Sequence, residues 1–132
     1  MRLRFLPPAI VWSLILLVSL VLGCASAPPS RSAGTEGGQT GLASYYHDRF
    51  HGRTTASGDT YDRDALTAAH RTLAFGTRIR VTNLQNGRSV NLRVTDRGPF
   101  VDGRIVDVSR RAAEELDFVA EGLVKVRLEV LD

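Results

Sequence analysis

Cysteine is almost absent from this chain, because Cys24 is the only one among 132 residues. A single cysteine cannot form a disulfide within the chain, so the fold must rest on its own hydrophobic core. No Cys/His ligand set and no His-x-x-x-His helix occurs, which argues against a zinc site. The sequence therefore predicts no metal and no cofactor. Its length fits a single domain.

A strong excess of charge is also missing. The formal net charge is +3, from 17 basic and 14 acidic residues. Arg2 and Arg4 stand at the very start of the chain, and without them 15 basic residues face 14 acidic ones, a net of +1. The remaining arginines are scattered, so the sequence predicts no nucleic-acid-binding surface.

The longest apolar run extends from Ala9 to Leu22 and is too short for a transmembrane helix, which needs roughly 20 residues. A positive start followed by a short apolar segment is typical of a secretory signal peptide. Cys24 follows Val21-Leu22-Gly23, which resembles a bacterial lipobox, whose cysteine is lipidated. The alternative interpretation is a buried free thiol. We predict a lipoprotein signal over residues 1–24 and attachment to a membrane through a lipid on Cys24.

The next segment, residues 25–40, is rich in Ala, Pro, Ser and Gly. Such a composition cannot bury enough apolar surface to order itself, and it predicts a flexible linker. The composition changes at Gly41. We therefore predict that residues 41–132 form the folded domain.

Three stretches of this domain alternate apolar and polar residues, which is typical of half-buried β-strands. They are residues 78–82, 89–95 and 123–131. Asn86-Gly87 separates the first two and predicts a hairpin turn.

Other elements give weaker signals. Gly41 to Tyr46 can form a further strand, whereas residues 67–73 are ambiguous. Ser109 is a good N-cap for one short helix over residues 110–116. The domain is predicted to be mainly β, and a small closed barrel would remove its exposed strand edges.

Residues 45–62 are dense in aromatic, histidine and acidic residues and show little periodicity, which predicts a loop. Loops on a rigid scaffold commonly carry functional sites. The aromatic side chains suit stacking on the apolar faces of sugar rings. For Tyr45 and Phe50 taken singly, a place in the core or at its rim is the better interpretation.

A second dense stretch is Val94 to Phe100. Its plain interpretation is a strand that ends in a turn containing Asp96 and Gly98. Asp96 would also continue the apolar face of the preceding strand and so be partly desolvated. Desolvation favours a protonated carboxyl group, as a general acid for glycoside cleavage requires, whereas pairing with Arg97 would favour the charged form. The sequence leaves both open.

His70 follows the small apolar run Thr67-Ala68-Ala69. A histidine in such a run is more often a buried, hydrogen-bonded side chain than a catalyst. A Ser–His–Asp triad stays open, although no nucleophile-elbow pattern is present.

Several short motifs together resemble the rare lipoprotein A (RlpA) family of septal-ring lytic transglycosylases. The resemblance extends over residues 41–132 and implies a six-stranded double-psi β-barrel with one or two short helices, related to barwin and expansin barrels. The motifs are Gly41-Leu42-Ala43-Ser44-Tyr45-Tyr46, Phe50-His51-Gly52-Arg53-Thr54-Thr55-Ala56-Ser57-Gly58, Thr67-Ala68-Ala69-His70, Gly76-Thr77, Val81-Thr82-Asn83, Asp96-Arg97-Gly98-Pro99-Phe100 and Arg104-Ile105-Val106-Asp107-Val108-Ser109.

The resemblance also implies a reaction. Active members of the family cut the MurNAc–GlcNAc bond of peptidoglycan without water and leave a 1,6-anhydro sugar. Because the 6-hydroxyl of the sugar is the nucleophile, one carboxyl group can act first as acid and then as base. The implied catalytic residues are Asp96, as that acid and base, with His70, Asp59 and Asp62. We expect the substrate-binding side chains to be Tyr45, Tyr46, Phe50, His51, Arg97 and Phe100.

The sequence departs from the family pattern in three places. Asp59 stands where the family usually has Glu, which shortens the reach of that carboxylate by one methylene. Tyr45-Tyr46-His47 replaces the usual Trp-Tyr-Gly. No SPOR domain follows the barrel, so targeting to the septum and divisome partners are not implied.

Three functions remain open on this reading. The first is an endolytic lytic transglycosylase, and the second is a non-catalytic peptidoglycan-binding or expansin-like wall-remodelling lipoprotein. The third is an inverting glycosidase, which needs a second carboxylate such as Asp59 or Asp62 beside Asp96. The expected partner is the glycan strand of peptidoglycan. Ala25 after Cys24 is not an aspartate, so in a host with two membranes we expect an outer-membrane lipoprotein that faces the periplasm.

Overall fold

A computed structural model describes residues 38–132 of the chain. The predicted signal peptide, the lipidation site at Cys24 and most of the predicted linker lie outside these residues. Within 38–132, no helix is long and apolar enough to cross a membrane. The described elements are strands β1 (Gln39–Tyr45), β2 (Thr67–Ala69), β3 (Arg78–Asn83), β4 (Ser89–Asp96), β5 (Arg104–Val108) and β6 (Val124–Val130), helix α1 (Arg110–Leu116), and a single 3₁₀ turn at Asp48–Phe50.

The six strands close into a barrel in the order β1-β5-β2-β4-β3-β6, and β6 pairs again with β1. The β1–β5 and β2–β4 pairs are parallel, whereas the other four pairs are antiparallel. Closure gives every strand a neighbour on both sides, although the short β2 pairs with β4 only from Arg93 onward, so few strand edges stay open for another chain to join. The prediction of a mainly β, six-stranded closed barrel with a short helix is confirmed.

The barrel interior is filled by alternate side chains of the strands, as the period-two pattern predicts. Branched aliphatic residues dominate it, and burying each one fully stabilises the fold by roughly 1.5–3 kcal/mol. Helix α1 and Phe118, two residues after its end, add buried side chains to this core. The completely buried large side chains include Ile79, Val81, Val94, Val106, Val108, Leu116, Phe118, Val124 and Val126.

Helix α1 begins and ends where the sequence predicts. The Ser109 hydroxyl accepts a hydrogen bond from the Ala112 N–H at 3.3 Å, which is the expected N-cap contact. The hairpin between β3 and β4 is also confirmed, and Gly87 takes the positive φ of 77° that its turn requires.

Strand β5 has no counterpart among the strands predicted from alternation. It is five residues long, and Ile105 and Val106 are adjacent apolar residues that break a two-residue period. Such short runs are hard to classify from pattern alone. β5 nevertheless lies between β1 and β2 and carries part of the site described next.

Candidate active site

Four adjacent strands of the barrel carry a row of residues at matched positions. Ser44 on β1 lies opposite Asp107 on β5. Asp107 also lies opposite Ala69 on β2, on its other side. Ala69 in turn lies opposite Asp96 on β4. Side chains at matched positions stand on the same face of a sheet. The residues before them on β1, β2 and β5 are core residues, so this row faces away from the barrel interior.

The expectation that Asp96 continues the apolar face of β4 is wrong. Ala68 pairs with Val94, but Ala69 pairs with Asp96, so the register shifts by one residue between them. Thr95 is the extra residue of this β-bulge. A bulge re-aims the side chain that follows it, and here it moves Asp96 from the interior face to the outer face.

Three donors hold the half-buried Asp96 carboxylate. The Tyr46 hydroxyl donates to Oδ2 at 2.6 Å. The backbone N–H groups of Ala56 and Arg97 both donate to Oδ1 at 2.9 Å. Hydrogen bonds to an ionised acceptor are stronger than neutral ones, so these contacts fix the orientation of the carboxylate.

The segment between β1 and β2 folds over Asp96 as a small hairpin. Gly52 N–H donates to the Tyr61 carbonyl and Tyr61 N–H to the Arg53 carbonyl, at 2.9 and 2.7 Å. Ser57 N–H donates to the Thr95 carbonyl at 3.1 Å and so ties the hairpin tip to the bulge of β4. This attachment brings the Ala56 N–H to the carboxylate.

Tyr46 lies in a cluster of aromatic rings on this face. Its ring is 4.6 Å from the Tyr61 ring and 6.0 Å from the Phe50 ring, between centroids. Burial raises the pKa of the Tyr46 phenol far above its usual value, and the hydrogen bond to Asp96 and the charges of Asp96 and Asp107 raise it further. The phenol therefore stays protonated and remains a donor to Asp96.

Tyr45 points the other way, into the fold. Its hydroxyl donates to the Val119 carbonyl at 2.9 Å, and its ring meets the edge of Phe118 at 5.7 Å. The contacts of Tyr45 are those of a core-rim residue.

His70 is buried, and both nitrogens of its ring are engaged by protein groups. Nδ1 accepts the backbone N–H groups of Thr72 and Leu73 at 3.2 and 3.1 Å, so Nε2 carries the proton and donates to Gln39 Oε1 at 3.0 Å. Burial lowers the pKa of the imidazole, and Arg97 and Arg71 lower it further. The contact to Asp96 runs through the backbone, from His70 N–H to the Asp96 carbonyl at 3.1 Å.

Two loops next to Asp96 are tied together by arginines. Arg97 donates to the carbonyls of His70 and Leu73 at 3.3 and 2.7 Å, and its guanidinium lies 4.0 Å from the centre of the Phe75 ring. Among the described contacts Arg97 makes no ion pair with Asp96. Arg71 donates to carbonyls of the opposite loop, those of Pro99, Val101 and Arg104.

Phe100 is the most exposed large apolar side chain of the described residues, at 79%. Its ring lies about one van der Waals contact, 3.7 Å, from the point that a Cβ of Gly98 would occupy. One edge of the ring thus lies near the turn that follows Asp96, and most of the side chain is open to solvent.

The other predicted site residues lie on the exposed hairpin and after it. Asp59 forms an ion pair with Arg93 at 3.7 Å. The Asp62 carboxylate accepts the N–H of Asp64 at 2.9 Å, and His51 Nδ1 accepts the N–H of Arg63 at 3.1 Å. No described hydrogen bond or ion pair joins Asp59, Asp62 or His51 to Asp96. Within 38–132, no three His, Cys, Asp or Glu side chains form a group suited to a metal ion.

Ser44, Arg104 and Asp107 form a polar cluster that was not predicted from the sequence. Asp107 Oδ1 accepts from the Ser44 hydroxyl and, at 2.5 Å, from the Arg104 guanidinium, which also donates to Ser44. All three residues lie within motifs of the family resemblance, but neither spacing nor periodicity indicates that β1 and β5 are neighbours.

Comparison with known proteins shows which family this barrel resembles. A family model described as lytic transglycolase matches residues 38–128. Proteins named endolytic peptidoglycan transglycosylase RlpA are 54% identical in Campylobacter jejuni and 55% in Neisseria meningitidis, over 91 residues and 69% of this chain. Those matches include 33% and 38% of the relatives, so the chain spans about a third of their length.

Two solved structures share the architecture. A Streptomyces papain inhibitor has a TM-score of 0.59 at 23% identity, over 72% of this chain and 94% of that one. The apo expansin of Clavibacter michiganensis has a TM-score of 0.58 at 22% identity, over 72% of this chain and 50% of that one. Together with the family match, they identify the barrel as the double-psi type.

Proposed function

This chain belongs to the RlpA family of lytic transglycolases, and from that premise we propose that it cuts MurNAc–GlcNAc bonds in peptidoglycan and leaves 1,6-anhydro ends. The observation that carries the proposal is the Asp96 carboxylate, which is half-buried and fixed by three donors, and which precedes the turn at Gly98 that the exposed ring of Phe100 approaches. A glycan that stacks on this ring would have its glycosidic bond close to Asp96.

In the proposed reaction, Asp96 transfers one proton twice. Its carboxyl group protonates the oxygen that leaves with GlcNAc, and the C1–O bond of MurNAc breaks. The 6-hydroxyl of the same MurNAc attacks C1, and its proton returns to Asp96. No water is consumed, and the intramolecular attack has a high effective concentration.

The contacts of Asp96 suggest where that proton resides. Oδ1 already accepts the two N–H groups of Ala56 and Arg97, whereas Oδ2 faces only the Tyr46 hydroxyl. A hydroxyl both donates and accepts, so Tyr46 can accept from a protonated Oδ2 and donate to a charged one. Tyr46 thereby supports both states of the acid without moving.

The remaining predicted side chains receive binding or supporting roles in this proposal. Asp59, Asp62 and His51 lie on the exposed rim and would contact the passing glycan strand. Phe50 supports the ring of Tyr46. His70 orders the loop that Arg97 holds, because its ring accepts the backbone N–H groups of Thr72 and Leu73.

A non-catalytic, glycan-binding lipoprotein is the second candidate. Its support is that His70 is engaged by protein groups and Asp59 by Arg93, whereas Phe100 stays open for binding.

Under either function, we propose that the protein is lipidated on Cys24 and acts in the cell envelope, on the periplasmic side of the outer membrane in a host with two membranes. Mass spectrometry of the mature N-terminus tests the lipid, and a Cys24→Ser variant should lack it.

The activity is tested with full-length protein in detergent, purified sacculi and peptide-stripped glycans, followed by mass spectrometry of the soluble products. We expect fragments with anhydro ends, and at least a hundredfold slower release by Asp96→Asn. Asp102→Asn is the matched control, because Asp102 is an exposed carboxylate in the same loop as Phe100 and has no described side-chain contact. Products heavier by one water would indicate a hydrolase. Binding without release would favour the second candidate.

A further inference from the structure

We propose that Asp107 is a second functional carboxylate of the Asp96 site, held by Arg104 and Ser44, and that it binds hydroxyl groups of the sugar next to the bond that Asp96 cuts. The proposal deepens the function proposed above and rests on it for the identity of the ligand. It assigns a substrate contact to a residue that carries no role in the sequence analysis.

The strand register puts the two carboxylates on one surface. Asp107 and Asp96 are both matched to Ala69, from opposite sides of β2. Adjacent strands are about 4.8 Å apart, so the two backbones are separated by about 10 Å. Ala69, which lies between them in the row, is covered, whereas both aspartates are partly exposed. A glycan strand that lies over this covered position can therefore reach both carboxylates with neighbouring sugar units.

Tyr46 joins the two aspartates. Its hydroxyl donates to Asp96, and the negative charge of Asp107 is close enough to act on the same phenol. A sugar bound against the Tyr46 side of Asp96 is thus also near Asp107.

The Asp107 carboxylate is fixed through one oxygen and open at the other. Oδ1 accepts from both Ser44 and Arg104. Oδ2 makes no hydrogen bond among the described residues, and the side chain is 19% exposed. A rigidly held acceptor with a free oxygen is well suited to sugar hydroxyl groups, because a carboxylate accepts hydrogen bonds and donates none.

A purely structural ion pair between β1 and β5 is the competing explanation, and it makes a different prediction. Loss of such a pair would lower the stability of the barrel and leave the affinity of the folded protein for glycan unchanged. A substrate-binding Asp107 would instead lower affinity at little change in stability, because Asn keeps an oxygen that Ser44 and Arg104 can reach.

The test uses full-length protein carrying Asp96→Asn, so that binding is measured without cleavage. Affinity for peptide-stripped glycan chains is measured by calorimetry with and without Asp107→Asn, and thermal unfolding is followed in parallel. We expect binding to weaken roughly ten- to a hundredfold, the effect of losing a hydrogen bond to a charged group. Asp102→Asn in the same background should bind as before.

Unchanged affinity in a folded Asp107→Asn protein would overturn the proposal. If that variant fails to fold, Asp107→Glu keeps the charge and its arginine partner but shifts the carboxylate by one methylene. Equal affinity of the folded Glu variant would likewise overturn it. If the wild-type chain releases no product, the proposed activity is wrong. The comparison of glycan affinity with and without Asp107→Asn remains valid in that case.

Discussion

The Asp96 and His70 side chains show that residue type alone does not assign a role. Asp96 is the last residue of β4 and His70 directly follows β2, and the backbone N–H of His70 donates to the carbonyl of Asp96. The Asp96 carboxylate is accessible and fixed by donors from two segments, whereas the His70 ring is saturated by its own loop and by Gln39. The contacts of Asp96 therefore fit the proposed acid, whereas those of the His70 ring hold its own loop.

The lowered pKa of His70 predicts a pH-dependent stability. An unfolded chain binds a proton on this imidazole as the pH falls through about 6.5, before the folded protein does, so protonation favours unfolding. The free energy of unfolding should decrease below pH 6.5 and be unaffected by this group above it. Urea unfolding at pH 7.5 and pH 5 gives the free energy of unfolding at each pH. The difference between these two free energies should be smaller for His70→Gln than for wild type.

Equal differences for the two proteins would mean that His70 is not the responsible group. His47 and His51 are both exposed and are retained in the variant, so they cancel in the comparison.

At the same scale, the sequence predicts a role for Asp96 but offers no signal for Asp107. Asp96 occurs in a compact motif with a turn, an arginine and an exposed aromatic residue, and these signals are local. Asp107 meets Ser44 only because β5 lies beside β1, and residues 44 and 107 are distant in sequence. The bulge at Thr95 is also invisible in a two-residue pattern, which is why the predicted face of Asp96 is wrong.

Among the elements, the two loops beside Asp96 behave as one unit. Arg97 reaches from one loop to the carbonyls of the other, and Arg71 reaches back. A planar guanidinium can bind several carbonyls at once, which a lysine ammonium does less specifically. Arg71 thereby fixes the loop that carries Phe100.

We predict that Arg71→Lys weakens glycan binding about three- to tenfold and leaves kcat nearly unchanged. The physical reason is that the loop carrying Phe100 becomes less ordered in the free protein. Glycan binding must then order the Phe100 ring, and this cost lowers the affinity. In a double-mutant cycle, the effect of Arg71→Lys should vanish in a Phe100→Ala background. Arg88→Lys, at an exposed position of the β3–β4 hairpin, is the matched control.

A persistent effect of Arg71→Lys without Phe100 would contradict this assignment and indicate that Arg71 acts on another part of the site. The kinetic constants distinguish the two cases, because a displaced Asp96 would lower kcat rather than raise KM.

For the whole molecule, closure of the barrel depends on its first strand. β1 begins at Gln39, two residues before the predicted domain start, and Gln39 and Thr40 pair with Leu128 and Arg127 of β6. The sequence predicts a closed barrel from its many short strands. It does not predict the strand order, because the parallel pairs join segments that are remote in the chain.

A chain that begins at Gly41 should be less stable than one that begins at Gly38, by about 1–3 kcal/mol. The shorter chain loses the first two ladder pairs between β1 and β6, and it also loses the Gln39 side chain that accepts from His70. Urea unfolding of the two chains measures the difference. Equal midpoints would show that these pairs do not contribute to closure.

Ala69 has no chemistry of its own, yet it is the common neighbour of both aspartates and is 1% exposed. A larger side chain there would have to displace whatever covers its methyl group, and either acid could move with it. During divergence, a relative could thus lose its activity through an apolar replacement and still retain every acidic residue. Counting acidic residues in aligned sequences would then classify such a protein as an enzyme, and only the size of this one side chain would reveal the loss.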